Sequence, residues 1–169
     1  SAYEIDKTLE TNHSFIKYES FVSSPITEKF NVIIGNPPYM QLPTNEVLRS
    51  YRFRAANQMT NNIFAFFIEK ALELAKYCSL VVPKGLINTP EFSETRSILN
   101  RFHLSIIIDF GEKGFKGVKI ETLAFTVKTK EKPGLTQVTS YITDDTWLIG
   151  QQYITDKRFP YWLLDRDNS

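Results

Sequence analysis

The sequence is short of the two residue types on which many small frameworks and sites depend. It has one cysteine, Cys78, in 169 residues, which excludes an intramolecular disulfide framework. Two histidines beside that cysteine are too few for a zinc site of the usual Cys/His kind. Glycine stands at 7 residues, where average usage of about 7% would give roughly a dozen. A complete nucleotide-binding Rossmann half carries a glycine-rich loop after its first strand, and none stands near the start of this chain. An excess of charge is also missing. Twenty Lys and Arg against 19 Asp and Glu leave a net +1, which excludes a histone-like polycation and leaves room for a local basic face. No apolar run is long enough to span a bilayer, and no charged-then-apolar leader opens the chain. The expected compartment is the cytoplasm.

What is present is an ordinary globular composition, 42% hydrophobic and 23% charged, of one domain's length. Aromatic residues reach 14%, with 13 Phe and 8 Tyr. That is more than a core of this size requires, so the rings serve either a Phe-rich core or stacking on a ligand.

Several short segments are apolar without alternation. Phe30-Asn31-Val32-Ile33-Ile34, Ser79-Leu80-Val81-Val82 and Ser105-Ile106-Ile107-Ile108 read as strands buried on both faces, the signature of a parallel sheet. Phe15-Ile16-Lys17-Tyr18 is a weaker strand upstream. Between Asn62 and Lys76 apolar residues recur at three- and four-residue intervals, with Glu69, Lys70, Glu73 and Lys76 on the opposite face, which predicts an amphipathic helix. A second helix is expected from about Glu91 to Phe102, with Pro90 suited to its first turn. Leu123, Phe125 and Val127 then alternate with more polar residues. A turn at 130–134 and a returning strand from Val138 to Thr143 complete an expected hairpin. The reading is an α/β fold with a largely parallel sheet closed by an antiparallel hairpin. Residues 144–169 scatter Trp147, Tyr153, Phe159, Tyr161 and Trp162 among polar residues and read as an aromatic tail or a connection.

The stretch that carries chemistry is Gly35-Asn36-Pro37-Pro38-Tyr39, at the end of an apolar strand. In open α/β sheets ligands bind at the carboxyl ends of strands. Two prolines fix two φ angles and remove two N–H donors, leaving a stiff turn that presents acceptors. An amine conjugated to a heteroaromatic ring, or an amide nitrogen, is a poor nucleophile because its lone pair is delocalised. The Asn36 side-chain oxygen and the Pro37 carbonyl can each accept one N–H and localise that lone pair for attack on an electrophilic methyl, while the Tyr39 ring stacks on the base.

Asn36-Pro37-Pro38-Tyr39 resembles the catalytic motif of S-adenosylmethionine-dependent N6-adenine DNA methyltransferases, and in particular the Eco57I-type restriction–modification enzymes and their phage-defence relatives. The resemblance runs from Tyr3 to about Lys130 and implies a partial Rossmann-like methyltransferase fold. It implies that Glu4, in Tyr3-Glu4-Ile5-Asp6, holds the cofactor's ribose hydroxyls, and that Ser20 stands where an acidic residue near the cofactor's adenine is usual, with Glu19 as a substitute. It makes Phe115, in the Gly111–Val118 loop, the second ring on a flipped adenine. The segment after the catalytic turn, with Arg49, Arg52 and Arg54 between Tyr51 and Phe53, is implied to face double-stranded DNA, as is Lys116 beside Phe115. The cofactor implied is S-adenosylmethionine, with no metal for methyl transfer.

On this resemblance residues 1–143 form the catalytic half of a methyltransferase domain. The methionine-binding loop is expected upstream, a target-recognition domain is expected downstream, and the isolated fragment is expected to be inactive. Two alternatives stay open. Protein glutamine-N5 methyltransferases share the Asn-Pro-Pro-Tyr turn, and a catalytically inactive DNA-binding or assembly module could retain it, the serine at Ser20 being the feature that favours the latter.

Overall fold

The computed structural model describes residues 2–4, 16–18, 20–42, 55–115, 117 and 119–164. Two short strands, β1 (Ala2–Glu4) and β2 (Ile16–Tyr18), pair in parallel with Glu4 opposite Tyr18. The remaining strands are β3 (Phe30–Gly35), β4 (Ala75–Pro83), β5 (His103–Gly111), β6 (Thr122–Lys128), β7 (Leu135–Ser140) and β8 (Asp145–Gly150). They form one sheet in the order β3-β4-β6-β5-β7-β8. The helices are α1 (Ile63–Leu74), α2 (Ser93–Leu99) and α3 (Gln151–Ile154). Among the described residues no helix is long and apolar enough to cross a membrane.

The α/β architecture is that of the sequence reading, and the sheet is mixed. Strands β3 and β4 pair in parallel, as do β5 and β7, while β6 lies antiparallel between β4 and β5. The expected hairpin between the Leu123–Val127 segment and the Val138–Thr143 segment is therefore corrected. Strand β6 takes the slot between β4 and β5, and β7 crosses to the far side of β5. The antiparallel hairpin that closes the sheet is β7–β8, which pairs Val138 with Trp147. The expected tail from residue 144 thus begins inside that hairpin and contributes a strand. Trp162 then returns to the core, donating its backbone N–H to Ile87 O at 2.8 Å and its indole N–H to Asn100 Oδ1 at 2.8 Å.

Helix α1 is amphipathic, as its spacing dictates, and Phe64, Ile68 and Ala71 are fully buried. They join Cys78, Leu80 and Val82 of β4, Leu123, Phe125 and Val127 of β6, and Leu104 and Ile107 of β5 in one cluster. Burial of each large side chain there contributes about 1.5–3 kcal/mol. The chain leaves α1 directly into β4 at Ala75, whose backbone is already extended. The expected second helix is shorter than its pattern. Pro90–Phe92 forms a single 3-10 turn, and the α-helix occupies only Ser93–Leu99.

Of the strands expected to be buried on both faces, β3 is open on one face among the described residues, whereas residues 79–82 of β4 and 105–108 of β5 are buried or half-buried throughout. Val32 and Ile34 of β3 are 55% and 77% exposed, and Tyr77 of β4 is 44% exposed. Their pattern reflects β propensity, which apolar β-branched side chains supply whether or not both faces are covered.

Directions along the sheet position the site. Because β6 is antiparallel to both β4 and β5, strands β3, β4, β5 and β7 all point the same way. Their carboxyl ends, at Gly35, Pro83, Gly111 and Ser140, share one rim with the start of β6 at Thr122.

Candidate active site

Asn36 and Pro37 follow β3 immediately at this rim, Asn36 exposed and Pro37 buried. Tyr39 is half-buried, and its phenol reaches across the mouth of the neighbouring strand. The hydroxyl lies 2.5 Å from Asn36 Oδ1 and 3.0 Å from Val81 O of β4. Burial pushes the phenol pKa up to about 12, so the group stays protonated and can donate. It has one hydrogen for two acceptors, so it serves Asn36 or Val81 but not both at once. The Tyr39 ring also packs edge-on against Phe64 of α1, with centroids 6.4 Å apart, which fixes the ring from the core side.

Phe115 comes to the same place from β5. Its ring centroid is 6.5 Å from that of Tyr39, with the planes at 67°. The structure thus brings Asn36, Pro37, Tyr39 and Phe115 together. The two rings meet edge to face, so a base held between them requires Phe115 to turn aside.

The loop that bears Phe115 begins at Gly111, whose φ of +54° is open to glycine at little cost. A Cβ there would meet Ile142 Cγ1 at 2.9 Å, and one at Gly114 would meet Thr122 Oγ1 at 2.0 Å. The loop floor therefore lies directly on the start of β6. A charged cluster that the sequence reading passed over holds its ends. Asp109 is 8% exposed, accepts the Gly111 N–H through Oδ1 at 2.9 Å and pairs through Oδ2 with Lys84 Nζ at 2.8 Å. Lys84 follows Pro83 at the end of β4, and its backbone N–H donates to Glu121 O at 2.9 Å. The only advance signal was proximity in sequence to the strand ends, since 25 positions separate Lys84 from Asp109 and only topology joins them.

Ser20 stands two residues past β2 and opens a turn. Its Oγ accepts the Ser23 N–H at 3.3 Å, and its carbonyl accepts the Ser24 N–H at 3.0 Å and the Ser24 hydroxyl at 2.7 Å. Lys70 of α1 ties this turn down by donating to the Val22 and Ser24 carbonyls, and Phe21 packs on Phe67 with centroids 4.3 Å apart. Glu4 ends β1. Arg49, Arg52, Arg54, Lys116 and Glu19 lie outside the described residues. Lys113 and Lys119 are exposed, and Lys113 donates to Tyr141 O at 2.7 Å. Among the described residues no group of three or more His, Cys, Asp or Glu could hold a metal ion.

The segment that leads back from residue 55 into α1 is held by carboxylates. Glu69 accepts the Ala56 N–H at 2.6 Å and the Asn57 side-chain amide at 2.8 Å, and Glu94 accepts the Met59 N–H at 2.8 Å. Thr95 donates to Asn57 Oδ1 at 2.6 Å, so the buried Asn57 amide is satisfied on both sides.

Known structures share this architecture. The chain is similar to the type IIG restriction endonuclease BpuSI at 20% identity, with a TM-score of 0.56 over 74% of this chain and 17% of that one. A type I restriction–modification system methyltransferase subunit from Streptococcus thermophilus is 13% identical, with a TM-score of 0.55 over 75% of this chain and 30% of that one. The type IIL restriction–modification enzyme MmeI, solved in complex with DNA, is 14% identical with a TM-score of 0.55, over 71% of this chain and 18% of that one. The chain thus spans less than a third of the length of each. No individual curated protein matches it in sequence. The family model of the Eco57I restriction–modification methylase matches residues 2–115, a span that runs from β1 through Asn36 and Tyr39 to Phe115, and the chain belongs to that family.

Proposed function

We propose that this chain carries the catalytic rim of an S-adenosylmethionine-dependent DNA methyltransferase. It acts on the N6 amine of an adenine turned out of the duplex, within a restriction–modification or phage-defence system. The observation that carries this reading is Asn36 at the carboxyl end of β3, its side-chain oxygen met by the Tyr39 hydroxyl with Phe115 against the same ring.

The residues divide the work in a way the geometry supports. Asn36 Oδ1 and the Pro37 carbonyl accept the two hydrogens of the amine and draw its lone pair out of conjugation. When the amine arrives, the Tyr39 hydrogen turns from Asn36 to Val81 O, 3.0 Å away, and frees Asn36 Oδ1 at no loss of hydrogen bonds. Tyr39 and Phe115 supply the stacking that offsets the cost of extruding the base, a few kcal/mol. The surplus proton of the methylated amine leaves to water.

The residues at the other strand ends fit the cofactor. Glu4 and Ser20 stand at or just past the carboxyl ends of two paired parallel strands, the edge at which such sheets bind ligands. A carboxylate accepts from both hydroxyls of a ribose diol, and the Ser20 hydroxyl hydrogen is not used by the turn that its oxygen caps. S-adenosylmethionine held there would supply a sulfonium-activated methyl as the electrophile for the amine nitrogen. The DNA-bound state of MmeI and the match to a restriction–modification family support duplex DNA as the partner. Arg49, Arg52, Arg54 and Lys116 are proposed as its phosphate contacts.

The test is transfer of labelled methyl from S-adenosylmethionine by the full-length protein, with nucleoside analysis of the DNA. Label on adenine N6 is expected. Label on a glutamine side chain of a protein substrate and none on DNA would favour the glutamine-methylating alternative. No binding of S-adenosylmethionine at all would favour an inactive module.

A further inference from the structure

We propose that Lys84 is a positioning residue that sets the Phe115 loop against Tyr39, a role that rests on the function proposed above. One strand end carries both rings. Val81 O receives the Tyr39 hydroxyl, and three residues later Lys84 fastens the two ends of the loop that carries Phe115. At the loop's start, Lys84 Nζ pairs with Asp109 at 2.8 Å, and the other oxygen of that carboxylate holds the Gly111 N–H. At its end, the Lys84 N–H holds Glu121 O at 2.9 Å, and Nζ stands 3.7 Å from Glu121 Oε1. The Lys84 and Asp109 side chains are only 21% and 11% exposed, so water competes weakly for this pair. Lysine is suited to the task because its ammonium can serve two carboxylates on different sides of its stem.

Loosening this clamp leaves Asn36, Tyr39 and the β1–β2 edge untouched and changes where Phe115 stands. The loss should fall on the step in which Phe115 must hold an extruded base. It should be smaller where the adenine is already unpaired and extrusion is least costly.

The experiment uses the full-length protein as wild type, Lys84→Met, Lys84→Arg, Asp109→Asn and the Lys84→Met/Asp109→Asn double variant. The first readout is amide hydrogen exchange of the peptide spanning residues 110–121, which requires no catalysis. Exchange there should rise about tenfold in Lys84→Met and in Asp109→Asn, rise little further in the double variant, and return toward wild type in Lys84→Arg. The second readout is the methylation rate on a paired duplex and on one with the target adenine opposite a mismatch. Lys84→Met should lose about tenfold on the paired duplex and markedly less on the mismatched one, with affinity for S-adenosylmethionine unchanged. Unchanged exchange in Lys84→Met overturns the proposal. So does equal loss on both duplexes, which would mean that Lys84 touches the substrate directly, or additive losses in the double variant, which would mean that the two side chains act independently. A wild type inert on both duplexes strikes the proposed function instead, and the exchange data still decide whether Lys84 holds the loop.

Discussion

The Tyr39 hydroxyl lies 2.5 Å from the Asn36 side-chain oxygen and 3.0 Å from the Val81 carbonyl, so one phenol ties the turn after β3 to the end of β4. A ring used only for stacking would be replaced by phenylalanine without consequence. The hydroxyl contacts change that expectation. Tyr39→Phe in the full-length protein should lower the transfer rate about tenfold, the worth of the hydrogen bond to Val81 O that holds the ring in place while Asn36 receives the amine, with cofactor affinity unchanged. Tyr39→Ala should lose far more, because stacking of about 1–3 kcal/mol goes with the hydroxyl. Single-turnover methylation of the two variants measures the difference. Equal rates for Tyr39→Phe and wild type would reduce the hydroxyl to packing.

Phe115 meets Tyr39 edge to face and must rotate for a base to lie between them. Phe115→Ala should therefore weaken methylation of a paired adenine more than of one opposite a mismatch, since the ring is proposed to keep an extruded base out of the stack. Rates on the two duplexes decide this. A uniform loss would mean that the ring only shapes its loop.

Glu69 illustrates how much of the molecule periodicity leaves unread. Its position on the polar face of α1 suggests a solvated carboxylate, whereas it accepts two backbone N–H groups and the Asn57 amide from the segment that precedes α1. Glu69→Ala should cost about 2 kcal/mol of stability by stranding those donors, and Glu69→Gln about half as much, read from urea midpoints. An unchanged midpoint would mean that water replaces the carboxylate freely.

The same contrast runs through the fold. Strands β3, β4 and β5 and helix α1 were legible because each is specified by its own residues: short apolar runs, or an apolar stripe at helical spacing. The slot of β6 was not, because Leu123, Phe125 and Val127 alternate equally well beside β7 or between β4 and β5, and strand order is a property of the assembled core and not of β6's own residues. That Asn36, Tyr39 and Phe115 would come together was legible from a motif and a resemblance. The Lys84–Asp109 pair was hidden because two charges distant in sequence meet only through strand order.

Cys78 of β4 sits in the core, where burial pushes its thiol up to about 12 from 9.0. It should resist thiol reagents in the native protein and react only on unfolding. The folded pKa lies above the unfolded one, so the native state binds the proton more tightly. Its contribution to stability is complete below pH 9 and is lost as pH rises toward 12. A Cys78→Ala variant should show a flatter decline over that range in thermal melts. Rapid labelling of native protein would contradict the burial.

The most direct test of the account is Asn36→Ala in the full-length protein, measured by N6-methyladenine formed on duplex DNA alongside the dissociation constant for S-adenosylmethionine. Asn36 is proposed to meet the target amine and not the cofactor. The account predicts that the wild type forms N6-methyladenine, that the variant forms essentially none, and that cofactor affinity stays within about twofold. A variant that keeps most of its activity, or one that fails only because it no longer binds the cofactor, would contradict it.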